Sequence, residues 1–172
     1  MKMSRLITFL FLALCALNLK TKAADVSDLT YDNNGEYITI TDCNQDASGE
    51  LIIPETIEDL PVKSISDSAF HDCNSLSSVT IGYGITDVRS FLFSRCTSLT
   101  SVTIGVRVKD IGSRAFSGCI NLTNIIVASD NEYFSDVNGI LFNKQKTFLK
   151  RYPQGRLDAN YTIPDGLKTI DK

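Results

Sequence analysis

Three consecutive stretches of 23 residues decide the fold: VKSISDSAFHDCNSLSSVTIGYG from Val62, ITDVRSFLFSRCTSLTSVTIGVR from Ile85 and VKDIGSRAFSGCINLTNIIVASD from Val108. Apolar residues recur at the same positions in all three. Three slots hold one residue type in every copy: Phe70, Phe93 and Phe116; Cys73, Cys96 and Cys119; Leu76, Leu99 and Leu122. A fixed period of this length is typical of a solenoid, in which each unit buries its apolar face against its neighbours.

The second half of each unit predicts a short β-strand. It has the pattern L-x-x-φ-x-φ, where φ is apolar, as in Leu76 to Ile81. Side chains alternate across a strand, so Val79 faces the core and its neighbours face outward. The first half is too short for a full helix and predicts a turn or a single helical turn. The outward strand positions form the candidate binding face: Ser78, Thr80, Ser101, Thr103, Asn124 and Ile126.

The run A-F-x-x-C-x-x-L-x-x-φ-x-φ, as in Ala115 to Val127, resembles the BspA-like leucine-rich-repeat family of secreted and surface proteins. The entry φ-x-x-I-x-x-x-A-F, as in Val62 to Phe70, strengthens the resemblance. It implies a leucine-rich-repeat solenoid of short parallel strands, and a protein that binds or adheres to other proteins. One copy departs from the pattern, since Leu92 stands where the others have alanine.

The rest of the chain divides into regions on either side of the three repeats. We predict a signal peptide at 1–23, capping strands and an atypical first repeat at 24–61, the three repeats at 62–130, and a hairpin insertion with an incomplete final repeat at 131–172. In the last region, 136–142 and 147–153 are predicted as the two strands of one hairpin. Either the chain is a truncated family member or the hairpin is its cap, and the sequence leaves both interpretations open.

The N-terminal segment has the order of a secretory signal. Lys2 and Arg5 precede an apolar run from Leu6 to Leu19, and Ala23 ends a small-residue cleavage site. The run is shorter than the roughly 20 residues of a spanning helix, so we expect a secreted or cell-surface protein with no membrane span after cleavage. The remaining 13 basic and 20 acidic side chains disfavour nucleic acid as a partner.

The cysteines beyond the signal segment allow two interpretations. An even number in a secreted chain, here Cys43, Cys73, Cys96 and Cys119, is compatible with disulfides. Three of them occupy one slot beside a phenylalanine, which favours a row of buried thiols, because free cysteine behaves as a small apolar residue. Stacked neighbours would lie near disulfide range, so one bridge remains open. No C-x-x-C pair or histidine cluster indicates a metal site.

Nothing in the sequence indicates catalysis. His71 is the single histidine, so a nucleophile–histidine arrangement has one candidate base, and no nucleophile motif lies near it. Acidic residues cluster near Glu55 and near Asp130, without any sign of the cleft that a glycosidase needs. We therefore expect no enzyme activity, no cofactor and no metal.

The expected partner is an extracellular protein, bound through the solenoid surface. A glycan is the alternative, although exposed aromatics are its usual mark, and the chain has no tryptophan and only Tyr83 beside the repeat strands. A third interpretation is a structural surface module without a specific ligand.

Overall fold

The computed structural model describes residues 23–171, which lie almost entirely in short strands and turns. The predicted signal peptide therefore falls, except for Ala23, outside the described residues. Within these residues, a 3-10 helix, Val26–Asp28, precedes fourteen strands. The fourteen strands are β1 Leu29–Asn33, β2 Ile38–Cys43, β3 Ser48–Ile52, β4 Thr56–Ile57, β5 Leu60–Ile65, β6 Ser75–Thr80, β7 Asp87–Val88, β8 Ser101–Ile104, β9 Asp110–Ile111, β10 Asn124–Val127, β11 Phe134–Val137, β12 Ile140–Asn143, β13 Phe148–Arg151 and β14 Thr169–Ile170.

The repeats stack into a parallel sheet in the order β10-β8-β6-β3. The register pairs Leu51 with Val79, Val79 with Val102, and Val102 with Ile125, and all four side chains are buried. A second, smaller parallel pair, β7 with β9, links two successive turns of the solenoid outside the main sheet. The solenoid of short parallel strands predicted from the 23-residue period is thus confirmed.

The first half of each unit is a turn that packs its apolar side chains against the next unit. The rings of Phe70 and Phe93 stack with centroids 5.2 Å apart, and those of Phe93 and Phe116 with centroids 5.8 Å apart. The leucine and cysteine slots are buried as well. Leu92, which replaces alanine in the second unit, is fully buried without displacing this stack.

The N-terminal strands form a separate sheet in the order β1-β2-β5-β4. β1 and β2 are antiparallel, and β2 continues the solenoid by pairing in parallel with β5, with Ile40 opposite Ile65. Ile38 and Ile40 are buried in the same core as the repeats. This sheet therefore covers the first repeat.

The β4–β5 hairpin turns through Glu58 and Asp59, which have φ values of 52° and 63°. Two-residue hairpin turns of this kind favour glycine at the second position, because an L side chain is strained at positive φ. We expect Asp59→Gly to raise the free energy of unfolding by about 0.5 kcal/mol, measured by urea denaturation. Asp46→Gly, at an exposed residue without a positive φ, is the control and should not stabilise. A lower stability for Asp59→Gly would contradict the turn geometry.

The C-terminal region contains two hairpins where the sequence predicted one. Residues 136–142 were expected as a single strand, but the chain reverses at Asn138 and Gly139, with φ values of 52° and 79°. Asn-Gly adopts the left-handed conformations of a two-residue hairpin turn at low cost, and this preference overrides the apolar pattern of the segment. β11, β12 and β13 are antiparallel, and β14 adds in parallel to β13. Ile140, Phe142 and Leu149 form a small second core there.

Candidate functional site

The outward side chains of the main sheet form two straight rows. The first row contains Ser78, Ser101 and Asn124, and the second contains Thr80, Thr103 and Ile126. The register extends each row by one residue of β3, Glu50 in the first and Ile52 in the second. We call these eight residues the outer face.

The structure brings together all six residues that the sequence placed on this face, and it adds two. Glu50 and Ile52 were missed because β3 lies in the atypical first repeat, where the 23-residue period does not fix the register. The signal was nevertheless present: Leu51 and Ile53 are buried and alternate with Glu50 and Ile52. Extending the alternation of the later strands back to β3 would have found both residues.

The outer face is flat and mostly hydroxylated at its centre. Parallel strands lie about 4.8 Å apart, so four strands give rows about 14 Å long. The serines and threonines are partly exposed. The two ends of the second row are apolar, since Ile52 is 61% exposed and Ile126 is 42% exposed. The face therefore combines small polar groups with an apolar contact at each end.

The first of the two hairpins closes one edge of the main sheet. The carbonyl of Gly139 accepts a hydrogen bond from the backbone N–H of Ile125 at 2.9 Å, and the Asp136 carboxylate accepts one from Val127 at 2.9 Å. These N–H groups of β10 would otherwise be open to another strand. The hairpin thus covers the edge of the repeat sheet at β10.

The hairpin also limits access to one predicted binding residue. A Cβ atom on Gly139 would lie 1.9 Å from Oδ1 of Asn124, so the turn packs directly on that side chain. Arg156 also contacts the turn by donating to the Asn138 carbonyl, and it donates to Asp158 at 2.6 Å. Asn124 therefore lies at the rim of the outer face, beside the hairpin.

The thiols are free and buried at Cys43, Cys73, Cys96 and Cys119. Cys96 and Cys119 donate hydrogen bonds to carbonyls of the preceding unit. Burial raises the pKa of the Cys119 thiol to about 11 and raises that of Cys96 further. Both groups are therefore protonated at neutral pH and poorly suited to nucleophilic chemistry.

The histidine and the acidic residues near Glu55 lie apart from one another. His71 contacts the Asp72 carboxylate at 3.1 Å, and the same carboxylate accepts from Arg95 at 3.2 Å. Glu58 accepts from Asn33 at 2.7 Å and from Tyr31 at 3.2 Å. Within residues 23–171, no group of three or more His, Cys, Asp or Glu side chains is arranged to hold a metal ion.

A groove of about 400 Å³ lies at the loops that follow the second and third repeat strands. Its lining carries both charges, with Arg107 and Lys109 from one turn and Asp130 and Glu132 from the next. Tyr133, which is 48% exposed, completes it. This tyrosine was not predicted as a site residue, because it follows the last repeat and has no equivalent in the other copies.

Comparison with known proteins identifies the repeat type. The model of the BspA type leucine rich repeat region matches residues 44–145 in six copies. None of the curated proteins compared with the chain matches it significantly. In the part of the chain that the structure describes, no helix is long and apolar enough to cross a membrane.

Several solved structures match the chain, and one of them, with a TM-score above 0.5, is similar in fold. A leucine-rich repeat protein from Bacteroides ovatus is 23% identical over 83% of this chain and 36% of its own, with a TM-score of 0.52. A leucine rich cell surface protein from Faecalibacterium prausnitzii is 20% identical over 81% of this chain and 64% of its own (TM-score 0.44). The pneumococcal vaccine antigen PcpA is 19% identical over 84% and 59% (TM-score 0.42).

The chain thus spans less than two thirds of the length of each of these structures. The family match covers more than half of the chain, and it includes the three units whose phenylalanine, cysteine and leucine slots build the core. The chain belongs to the BspA-type leucine-rich repeat family.

Proposed function

We propose that this chain is a secreted or cell-surface binding protein without enzyme activity, which recognises another protein through its outer face. The observation that supports this most strongly is the pair of exposed isoleucines, Ile52 and Ile126, at the two ends of a row of threonines. Apolar groups that flank small hydroxyls can be buried by a partner, and Glu50, the charged residue of the face, lies at the end of the other row. The serine and threonine side chains of the face also lose little conformational entropy on binding.

The proposed location rests on the N-terminal sequence and on the family. A basic start, an apolar run and a small-residue site occur in the order of a secretory signal. The net negative charge of the rest of the chain is compatible with extracellular partners and disfavours nucleic acid.

The direct test is binding to arrayed extracellular proteins. In the test variant, four outer-face residues are changed to lysine: Ser78, Thr80, Ser101 and Thr103. In the control, four exposed residues outside the main sheet are changed to lysine, which adds the same charge: Gln45, Ser98, Gln154 and Asn160. We expect the native chain and the control to bind the same protein and the outer-face variant to lose it. Equal binding by all three would reject the outer face as the site.

A glycan ligand is the second candidate, and the groove beside Tyr133 is the observation that favours it. An exposed aromatic ring next to Asp130, Glu132 and Arg107 can stack on a sugar while the charged groups bind its hydroxyls. On a glycan array, we expect any signal from this site to disappear with Tyr133→Ala and to survive the four outer-face substitutions. A signal that is unchanged by Tyr133→Ala would exclude the groove.

A further inference from the structure

The row of buried thiols follows a regular hydrogen-bonding rule along the solenoid. The thiol of Cys96 donates to the carbonyl of Phe70 at 2.9 Å. One unit later, the thiol of Cys119 donates to the carbonyl of Phe93 at 2.9 Å. Each of these two thiols is thus held by the phenylalanine backbone of the preceding unit.

Cys73 breaks this rule because it is the first member of the row. Its thiol lies against Cys43 instead, with Sγ 3.9 Å from the Cys43 carbonyl oxygen. Cys43 is the last residue of β2, and its own Sγ lies 3.7 Å from the carbonyl of Asn44. Both contacts are long compared with the 2.9 Å bonds of the later thiols, so neither sulfur is held firmly by a carbonyl.

Cys43 and Cys73 are neighbours inside the core, where the Cys73 sulfur contacts the Cys43 backbone. A hydrogen bond between the thiols of Cys43 and Cys73, together with burial, raises the pKa of Cys43. Both residues are buried. Cys73 thus lies against Cys43 in the core, and neither thiol has the 2.9 Å carbonyl bond that holds Cys96 and Cys119.

We propose that Cys43 and Cys73 form a disulfide when the chain folds in an oxidising environment, while Cys96 and Cys119 remain thiols. The bridge would tie the N-terminal sheet to the first full repeat and close a loop of about 30 residues. Disulfides of this kind persist outside the cytoplasm, so the biological setting rests on the location proposed above. The chemistry itself is independent of what the outer face binds.

The reaction is an ordinary thiol–disulfide exchange with an external disulfide, such as that of an oxidoreductase or of oxidised glutathione. The thiolate of one cysteine attacks the external disulfide and releases one thiol, which gives a mixed disulfide. The thiolate of the other cysteine then displaces the second thiol. Two protein thiols are oxidised to one disulfide, one external disulfide is reduced to two thiols, and the two protons pass to the released thiolates.

Trypsin separates the cysteines for a direct test. Cleavage after Lys and Arg places Cys43 in peptide 23–63, Cys73 in 64–89, Cys96 in 96–107 and Cys119 in 115–144, with Cys15 apart in 6–20. The full chain is refolded in a mixture of reduced and oxidised glutathione, alkylated in denaturant without reduction, and digested. We expect peptides 23–63 and 64–89 to be linked, with Cys96 and Cys119 alkylated. Reduction should then lower the urea midpoint of unfolding.

Two single substitutions give the matched comparison. Cys43→Ser should leave Cys73 fully alkylated, whereas Cys96→Ser should leave the 23–63 to 64–89 linkage intact. The native chain decides the question even if a variant fails to fold. Alkylation of all four cysteines in the native chain, or a linkage that includes Cys96 or Cys119, would overturn the proposal.

Discussion

Replacing Phe93 by alanine is expected to lower the free energy of unfolding by about 4 kcal/mol. Its ring is fully buried and lies between Phe70, at a centroid distance of 5.2 Å, and Phe116, at 5.8 Å. Removing the middle ring leaves a cavity between two units and breaks both contacts. In a solenoid, where stability comes from neighbouring units, the loss weakens the interfaces on both sides. Urea denaturation followed by circular dichroism gives the value.

Phe91→Ala is the matched control, because it removes the same group two residues away. Phe91 is 39% exposed, and its ring contacts the Arg114 guanidinium at 5.6 Å instead of the core. We expect a loss of about 1 kcal/mol or less, as for a surface position. If Phe93→Ala cost no more than Phe91→Ala, the phenylalanine row would not be the core of the repeats.

Replacing Gly84 by alanine is expected to cost about 3 kcal/mol, because the new methyl group overlaps the backbone of β5 at the start of the same unit. A Cβ atom at this position would lie 1.9 Å from the carbonyl oxygen of Val62 and 3.1 Å from its carbonyl carbon. These are backbone atoms of β5, which cannot move without disturbing the stacked turns. The loss should appear as a lower urea midpoint and as faster hydrogen exchange of the amides in the first two units.

Gly35→Ala separates the steric effect from the general cost of replacing a glycine. Gly35 has a φ of 87°, so alanine is strained there, yet a Cβ would meet nothing within 4 Å. We expect about 1 kcal/mol for this variant. A chain with Gly84→Ala that was as stable as the native protein would show that the turns are not packed as closely as the structure places them.

The repeats could be predicted in detail because the same apolar pattern occurs three times at a 23-residue period. One register, repeated three times, fixed which side chains of the strands face inward and which face outward. Glu50 and Ile52 were not predicted as part of the outer face because β3 precedes the periodic units. Their alternation with Leu51 and Ile53 was present in the sequence, but their place at the ends of the two rows depends on parallel pairing with β6 outside the 23-residue period.

The C-terminal region was harder because local and global signals conflict there. Residues 136–142 contain enough apolar residues for a strand, and the Asn-Gly pair inside them was overlooked although it is a strong turn signal. That the turn packs on Asn124 and blocks the edge of β10 could not be predicted, since this contact joins parts of the chain without a repeat relationship. The groove beside Tyr133 depends on the same region.

The central claim is that the outer face recognises a protein, and one pair of substitutions tests it most directly. Ser101 lies at the middle of that face, whereas Ser98 is an exposed turn residue of the same unit. The measurement is the Kd of each lysine variant for a protein recovered from the array. We predict that Ser101→Lys weakens binding at least tenfold, which is about 1.4 kcal/mol, and that Ser98→Lys leaves it unchanged. Native affinity for Ser101→Lys, with or without a loss for Ser98→Lys, would contradict the claim.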